Sequence, residues 1–250
     1  MLRQFLLAVQ FLTRLPVPNR LATTEEELGR AAAFFPLVGI IVGGSTAGVY
    51  WLSLRVFSVR VAVFIALVFA AVITNGFHED GLADTFDGLG GGWTKDRALE
   101  IMRDSRIGTY GALALIFLIL GKYVTLTELH SENVWRWLIV AHAASRWTVL
   151  PLCRWLPYAR PEGQGKLVAK QITATALLIG SLTFLLTLLL FPWRTALIAV
   201  AVTIAVTFLS SLYYKRRLGG ITGDCLGATN QLTELLLYLT AHVLYRLNYY

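Results

Sequence analysis

Residues 61–92 read VAVFIALVFAAVITNGFHEDGLADTFDGLGGG. Seventeen residues without a charge run straight into His78, Glu79, Asp80, Asp84 and Asp87, all within ten positions. The first half decides the fold class. A helix rises about 1.5 Å per residue and a bilayer core is about 30 Å thick, so a run of this kind reads as a membrane-embedded helix. The second half asks why so apolar a chain gathers its carboxylates at the end of such a helix.

Four further charge-free windows flank it, at 31–54, 107–121, 171–193 and 195–214. Two more are apolar but interrupted: 134–153 carries Arg136, His142 and Arg146, and 225–245 carries Glu234 and His242. The chain is 56% hydrophobic and 15% charged, whereas a soluble domain is about 25% charged. These features predict an all-α, polytopic transmembrane helical bundle of about seven spans, with residues 1–250 forming one integral membrane catalytic domain. The opening MLRQFLLAVQFLTRLPVP is too short to cross, is broken by Gln10 and Arg14, and has no small-residue cleavage site. It predicts a short interfacial or buried helix rather than a signal peptide. Cys153 and Cys225 have no CxxC spacing, which argues against a zinc site or a disulfide framework.

The net charge of +7 would raise nucleic acid as a partner in a soluble protein. In a membrane protein it reports topology instead, because Lys and Arg accumulate in cytoplasmic loops. With the N-terminus inside and seven spans, fifteen of the 22 basic residues fall inside. Five (Arg55, Arg60, Lys122, Arg194 and Arg246) fall outside, and Arg136 and Arg146 lie within a span. This topology puts the 78–92 segment and LGGITGDCLGA, residues 218–228, on one cytoplasmic face.

On a helix, Asp84 lies about 40° one way and Asp87 about 20° the other way from Asp80. Three carboxylates in one sector repel each other, so something positive is expected there. Carboxylates with open positions beside substrate phosphates suit magnesium, which can clamp a phosphoryl displacement. The competing reading is a solvated acidic loop paired with Lys95, Arg97, Arg103 and Arg106 downstream. Its weakness is that seven of the chain's fifteen acids fall between residues 79 and 104, at a membrane boundary. Gly88, Gly90, Gly91 and Gly92 can expose backbone N–H groups or act as a hinge, but no GK[ST] follows and this is not a Walker loop. TKDRALEIMRDSR then predicts a short helix with Thr94 as N-cap and Asp96 in its first turn. Arg103 and Arg106 are its residues nearest a phosphate.

The last window carries a second polar stripe. Asp224, Gln231, Glu234 and Asn230 share a face about 120° wide, with Leu226, Leu232, Leu236 and Leu239 opposite, so the stripe faces the bundle interior. An ionisable residue in a span is a functional candidate by default. The alternative is a neutral Glu234 that staples two helices. His142, Ser145 and Arg146 stand at i, i+3 and i+4, where Arg146 offers a planar fork to a phosphate or pairs with an acid. His130 and His242 read as boundary residues. The loop YARPEGQGK, 158–166, holds Arg160 and Lys166 for an anionic ligand.

These residues together resemble the family of cobalamin synthase, also called adenosylcobinamide-GDP ribazoletransferase. The resemblance runs through QFLTRLPVP, FFPLVGIIVG, GFHEDGLADTFDG, EIMRDSRIGTYG, YARPEG and GGITGDCLGA. Gln164 departs from it, standing where a hydrophobic residue is expected. The resemblance implies a magnesium-dependent enzyme of the bacterial inner membrane, its active site facing the cytoplasm. Such an enzyme joins adenosylcobinamide-GDP to α-ribazole or its 5′-phosphate and releases GMP, late in cobalamin biosynthesis. Asp80, Asp84, Asp87 and Asp224 are then the expected catalytic and Mg2+-binding residues. His78, Arg103, Arg106, Arg146, Arg160, Asn230 and Glu234 are expected to bind substrate. The expected partners are these small molecules and the bilayer, with no nucleic acid and a homo-oligomer left open.

Two other classes compete. A CDP-alcohol phosphotransferase has a D-G-x-x-A-R run followed by G-x-x-x-D-x-x-x-D, and DGLADTFDG lacks both the Arg and that spacing. An ion-coupled transporter would show matched or broken repeats, and the chain has no convincing internal repeat.

Overall fold

The computed structural model describes residues 1–17, 21, 24–160, 172–247 and 249. Among them are twelve α-helices: α1 (Leu2–Leu12), α2 (Glu25–Ala31), α3 (Phe35–Ser53), α4 (Val59–Ile73), α5 (Phe77–Gly91), α6 (Lys95–Ile101), α7 (Thr109–Thr127), α8 (Ser131–Trp147), α9 (Val149–Trp155), α10 (Ala174–Thr187), α11 (Trp193–Leu218) and α12 (Gly223–Arg246). All seven apolar windows are helical, and the fold is an all-α membrane bundle. By length and composition three helices can cross a membrane: the continuous run Glu26–Ser53, α7 and α11. A fourth joins them if α4 and α5 count as one broken span. The other windows fall short of the seven-span expectation on this measure for physical reasons. α8 and α12 carry buried charge, and α10 has 14 residues.

The break between α4 and α5 is written in the dipeptide Asn75-Gly76. Both residues are left-handed, at φ 61° and 64°, a conformation that glycine adopts freely and asparagine tolerates. The chain turns by 85° there. α5 therefore leaves the line of the apolar helix, carrying four carboxyl groups in 15 residues.

Close approach of backbones assembles the bundle. Gly39 and Gly43 of α3 face the α8 backbone at His142–Ala143 and at Leu138–Ile139, where an added Cβ would collide with main-chain atoms. Within lipid the helices gain no hydrophobic advantage from associating, so small residues that permit tight van der Waals contact carry the packing. The α5–α12 crossing uses the same device. A Cβ on Gly81 would meet the Asp224 backbone and Gly227, and a Cβ on Gly227 would meet His78. This crossing positions the site. α1 buries Leu7, Ala8, Val9 and Leu12 in the main core, as expected of the opening segment. The Thr94 side chain caps α6. Exposed apolar residues such as Phe64, Phe117 and Leu209 cover the outer faces of α4, α7 and α11, where lipid covers what water would penalise.

Candidate active site

The cleft forms where α1, α3, α5, α9, the 158–160 segment and the start of α12 meet. Tyr158–Arg160 runs beside the turn before α12: the Ala159 N–H donates to the Ile221 carbonyl at 2.7 Å, and the Ile221 N–H to the Pro157 carbonyl at 2.9 Å. Thr222 caps α12 by accepting from the Cys225 N–H at 3.2 Å. Its hydroxyl donates to the Asp224 carboxylate, also at 3.2 Å. Arg160 Nη2 donates to Asp224 Oδ2 at 2.7 Å. His78, Asp80 and Gly81 of α5 form the facing wall. Phe11, Phe35 and Phe77 close the apolar side, with Phe11 stacked on Phe35 at 5.8 Å and edge-on to Phe77 at 5.7 Å. The cleft encloses about 210 Å³. The aromatic wall was missed in the sequence, where these three residues read as parts of ordinary apolar runs.

The electrostatics are unbalanced. Burial, and then the neighbouring Asp224 and Asp80 carboxylates, push the half-buried Asp84 carboxyl up to about 7. Burial also raises Asp224, against the pull of Arg160. Carboxyl groups from two helices share one field with one guanidinium, and the arrangement favours an added cation. The donor set suits a hard divalent ion in its chemistry. Among the described residues no three His, Cys, Asp or Glu side chains converge as a ready cage. That fits an ion that keeps several waters, takes one or two carboxylates and completes its shell with substrate phosphates.

Other expected site residues are placed differently. Asp87 is not free: its carboxylate accepts the Gly108 N–H at 2.7 Å and the Gly111 N–H at 2.8 Å. It caps the start of α7 from a neighbouring helix, where a negative charge meets orphan donors and the helix dipole. Arg106 is exposed and pairs with Asp104, and Arg97 pairs with Glu100. The downstream arginines therefore neither neutralise the acidic cluster nor line the cleft, and exposed Arg103 is likewise absent from its lining. Gln164 and Lys166 of the loop lie outside the described residues.

The interior stripe is a separate structure. Glu234 is buried, and its Oε2 accepts from Lys122 Nζ at 2.6 Å. Its Oε1 is held by His142 Nδ1 at 2.8 Å and by Ser145 and Arg146, each at 3.1 Å. Lys122 also donates to Gln231, whose amide reaches Glu79 at 3.2 Å. Glu234 thus has no free oxygen for a substrate, and Arg146 takes the acid-pairing alternative rather than the phosphate fork. Lys122, expected in an external loop, is instead a buried interior cation. Asn230 is fully buried away from the cleft, both its side-chain polar atoms unpartnered among the described residues.

The sequence model of a family described as cobalamin-5-phosphate synthase matches residues 4–242. An adenosylcobinamide-GDP ribazoletransferase of Vibrio cholerae is 45% identical over 95% of this chain and 92% of its own length. The ribazoletransferase of Ralstonia nicotianae is 43% identical over 94% and 92%, and that of Vibrio parahaemolyticus 40% over 97% and 92%. No solved structure matches the chain.

Proposed function

Because the chain belongs to the cobalamin-5-phosphate synthase family, we propose that it is an adenosylcobinamide-GDP ribazoletransferase acting in the final step of cobalamin synthesis. The acceptor is α-ribazole or its 5′-phosphate. A free hydroxyl oxygen of its ribose forms a bond to the phosphorus that carries cobinamide, the pyrophosphate P–O bond to GMP breaks, and the proton of that hydroxyl passes to a carboxylate or water. The observation that carries this reading is the α5–α12 crossing at Gly81 and Gly227, which sets Asp80 against Asp224 and Arg160 at one cleft, with Asp84 outside its lining but within the field of all three.

Phosphoryl transfer needs positioning and charge stabilisation more than covalent help. Arg160 is held by Asp224, and its buried Nε has no partner among the described residues, which leaves a donor for a phosphate oxygen. Phe11, Phe35 and Phe77 offer a dry wall against which an apolar part of a large substrate packs and excludes water. One or two of Asp80, Asp84 and Asp224, with water, would hold Mg2+, which supplies Lewis-acid polarisation of the pyrophosphate and charge for the departing GMP. Asp87 supports the site from outside by fixing α7 against α5.

The test is GMP release from adenosylcobinamide-GDP and α-ribazole by protein purified in detergent, with and without Mg2+. Release that depends on acceptor and metal is expected, and hydrolysis indifferent to acceptor would overturn the reading. We place the cleft on the cytoplasmic side of a bacterial inner membrane, from the basic-residue asymmetry. Trp93 is almost fully exposed beyond α5, and both native cysteines are buried, so a Trp93→Cys variant reports sidedness. Labelling only after the membrane is opened is expected; labelling from outside intact cells would invert the topology.

A further inference from the structure

A second cavity of about 410 Å³ lies on the other side of the first turn of α5. His78 and Asp80 line the cleft, while Glu79, between them in sequence, lines this cavity. Its outer rim is made of Phe64 and Val68 from α4 and Ile119 and Leu120 from α7, each about half exposed on the apolar outer face. The opening therefore faces lipid rather than water. Its inner end is the ionic floor of Lys122, Arg146, Glu234 and Gln231.

The chemistry of the floor selects a ligand. Glu234 is saturated by four partners, so it accepts nothing more. Arg146 is 1% exposed, lines the cavity and keeps an unpartnered Nε–H among the described residues. A buried donor of this kind calls for an acceptor. Lys122 and Arg146 face Glu79 and Glu234, two cations against two carboxyl groups, so a charged ligand would find no spare counter-charge in a region where unpaired charge is costly. The walls are apolar, and about 150 Å³ is already enough to bind benzene.

We propose that this cavity is a second, lipid-accessible binding site for an uncharged, mainly apolar molecule that carries a hydrogen-bond acceptor at one end. Two sources supply that chemistry: the flat heteroaromatic base of the acceptor nucleoside, or the ester end of a membrane lipid. The first source rests on the transferase reading; the site itself does not.

The probes are 5,6-dimethylbenzimidazole, measured by equilibrium binding, and retained phospholipid, measured by native mass spectrometry. The protein is the full chain in nanodiscs of phosphatidylethanolamine and phosphatidylglycerol. Ala71 lines the cavity and is partly exposed, so Ala71→Phe fills space without removing a core contact, and Ala71→Val fills less. Saturable benzimidazole binding that weakens by about tenfold or more in Ala71→Phe and less in Ala71→Val is expected. If the base is the natural ligand, the KM for the acceptor rises in parallel while the KM for adenosylcobinamide-GDP stays unchanged. A phospholipid retained by the wild type and lost from Ala71→Phe, with the acceptor KM unmoved, upholds the site and assigns it to lipid. No saturable probe and no retained lipid, or equal binding of both in wild type and variants, overturns the proposal. Binding is scored without turnover, so a protein that releases no GMP yet binds the probe breaks the transferase reading and leaves the site standing.

Discussion

The molecule holds two clusters of charge that differ in how they are balanced. At the cleft, Asp80 and Asp224 of the lining, with Asp84 close by, share a field with Arg160. In the interior, Glu234 is matched by Lys122 and Arg146 and reinforced by His142 and Ser145. The first cluster sits beside an open cleft, and burial together with neighbouring carboxylates pushes Asp84 and Asp224 toward neutrality. The second is deep and charge-balanced, with Glu234 held by four partners, and it floors the lipid-facing cavity. A surplus of one sign marks a place that waits for an ion; a balanced set of opposite signs marks a joint between helices.

The largest expected effect tests the surplus. Asp84→Asn and Asp224→Asn keep shape and remove charge, and each is expected to cut turnover by about a thousandfold or more while the protein still inserts and folds. If both serve one ion, the double variant is hardly slower than either single one. Activities that multiply, read from GMP release, would show that the two aspartates act separately.

The matching test of the joint is Lys122→Met. It leaves Glu234 with one ion partner fewer in a dry interior, and removing one member of a buried pair costs on the order of 3 kcal/mol. The unfolding midpoint in detergent is expected to fall, while the fraction that stays folded keeps its KM for adenosylcobinamide-GDP. A shifted KM with an unchanged midpoint would move Lys122 from the joint to the site.

Much of this division was legible in the chain, and the failures share a cause. The apolar windows located the helices and the wheel of α12 put its polar face inside, whereas the turn at Asn75-Gly76 went unread inside the 61–77 window although Asn-Gly is a turn dipeptide. Glu79 had no place in the angular argument on α5, although one residue turns a helix by about 100°, and the structure sends it away from Asp80, toward Gln231. Lys122 was misread because its charge was taken to end the window at 121, although no Gly, Pro or Asn follows before Glu128 and α7 continues to Thr127. Its partner is 112 positions distant, and pairing at that range leaves no local trace. Asp87 was misread in the same way. The angle placed it with Asp80 and Asp84, but the α7 start that claims it, at Gly108 and Gly111, is set by tertiary packing.

Asp87 therefore gives a smaller effect and a sharper contrast. Asp87→Asn keeps one acceptor oxygen and turns an amide NH2 toward a backbone N–H, so one of the two bonds to α7 is lost. The cost expected is roughly 1–2 kcal/mol of stability, with turnover per folded molecule within about tenfold of wild type. If Asp87→Asn silences the enzyme as fully as Asp84→Asn, then Asp87 belongs to the ion site after all and the separation of roles along α5 is wrong.

The smallest effect concerns pH. The Asp84 carboxyl titrates at about 7 in the folded protein against 3.8 as an ordinary Asp, because burial first, and then Asp224 and Asp80, disfavour its charged form. A folded pKa raised above the unfolded one contributes stability that is fully present below the unfolded value and is lost as pH rises through the folded one. Without divalent ions the melting temperature is therefore expected to decline between about pH 4 and pH 7. The decline should be modest, because Asp84 is half-exposed and solvent screens it. Asp84→Asn removes the titrating group and should flatten that part of the profile, and Mg2+ should flatten it in the wild type by stabilising the ionised form. A profile unchanged by Asp84→Asn would assign the pH dependence elsewhere, with Asp224 the next carboxyl to test, and would remove the mutual repulsion that distinguishes the cleft from the joint.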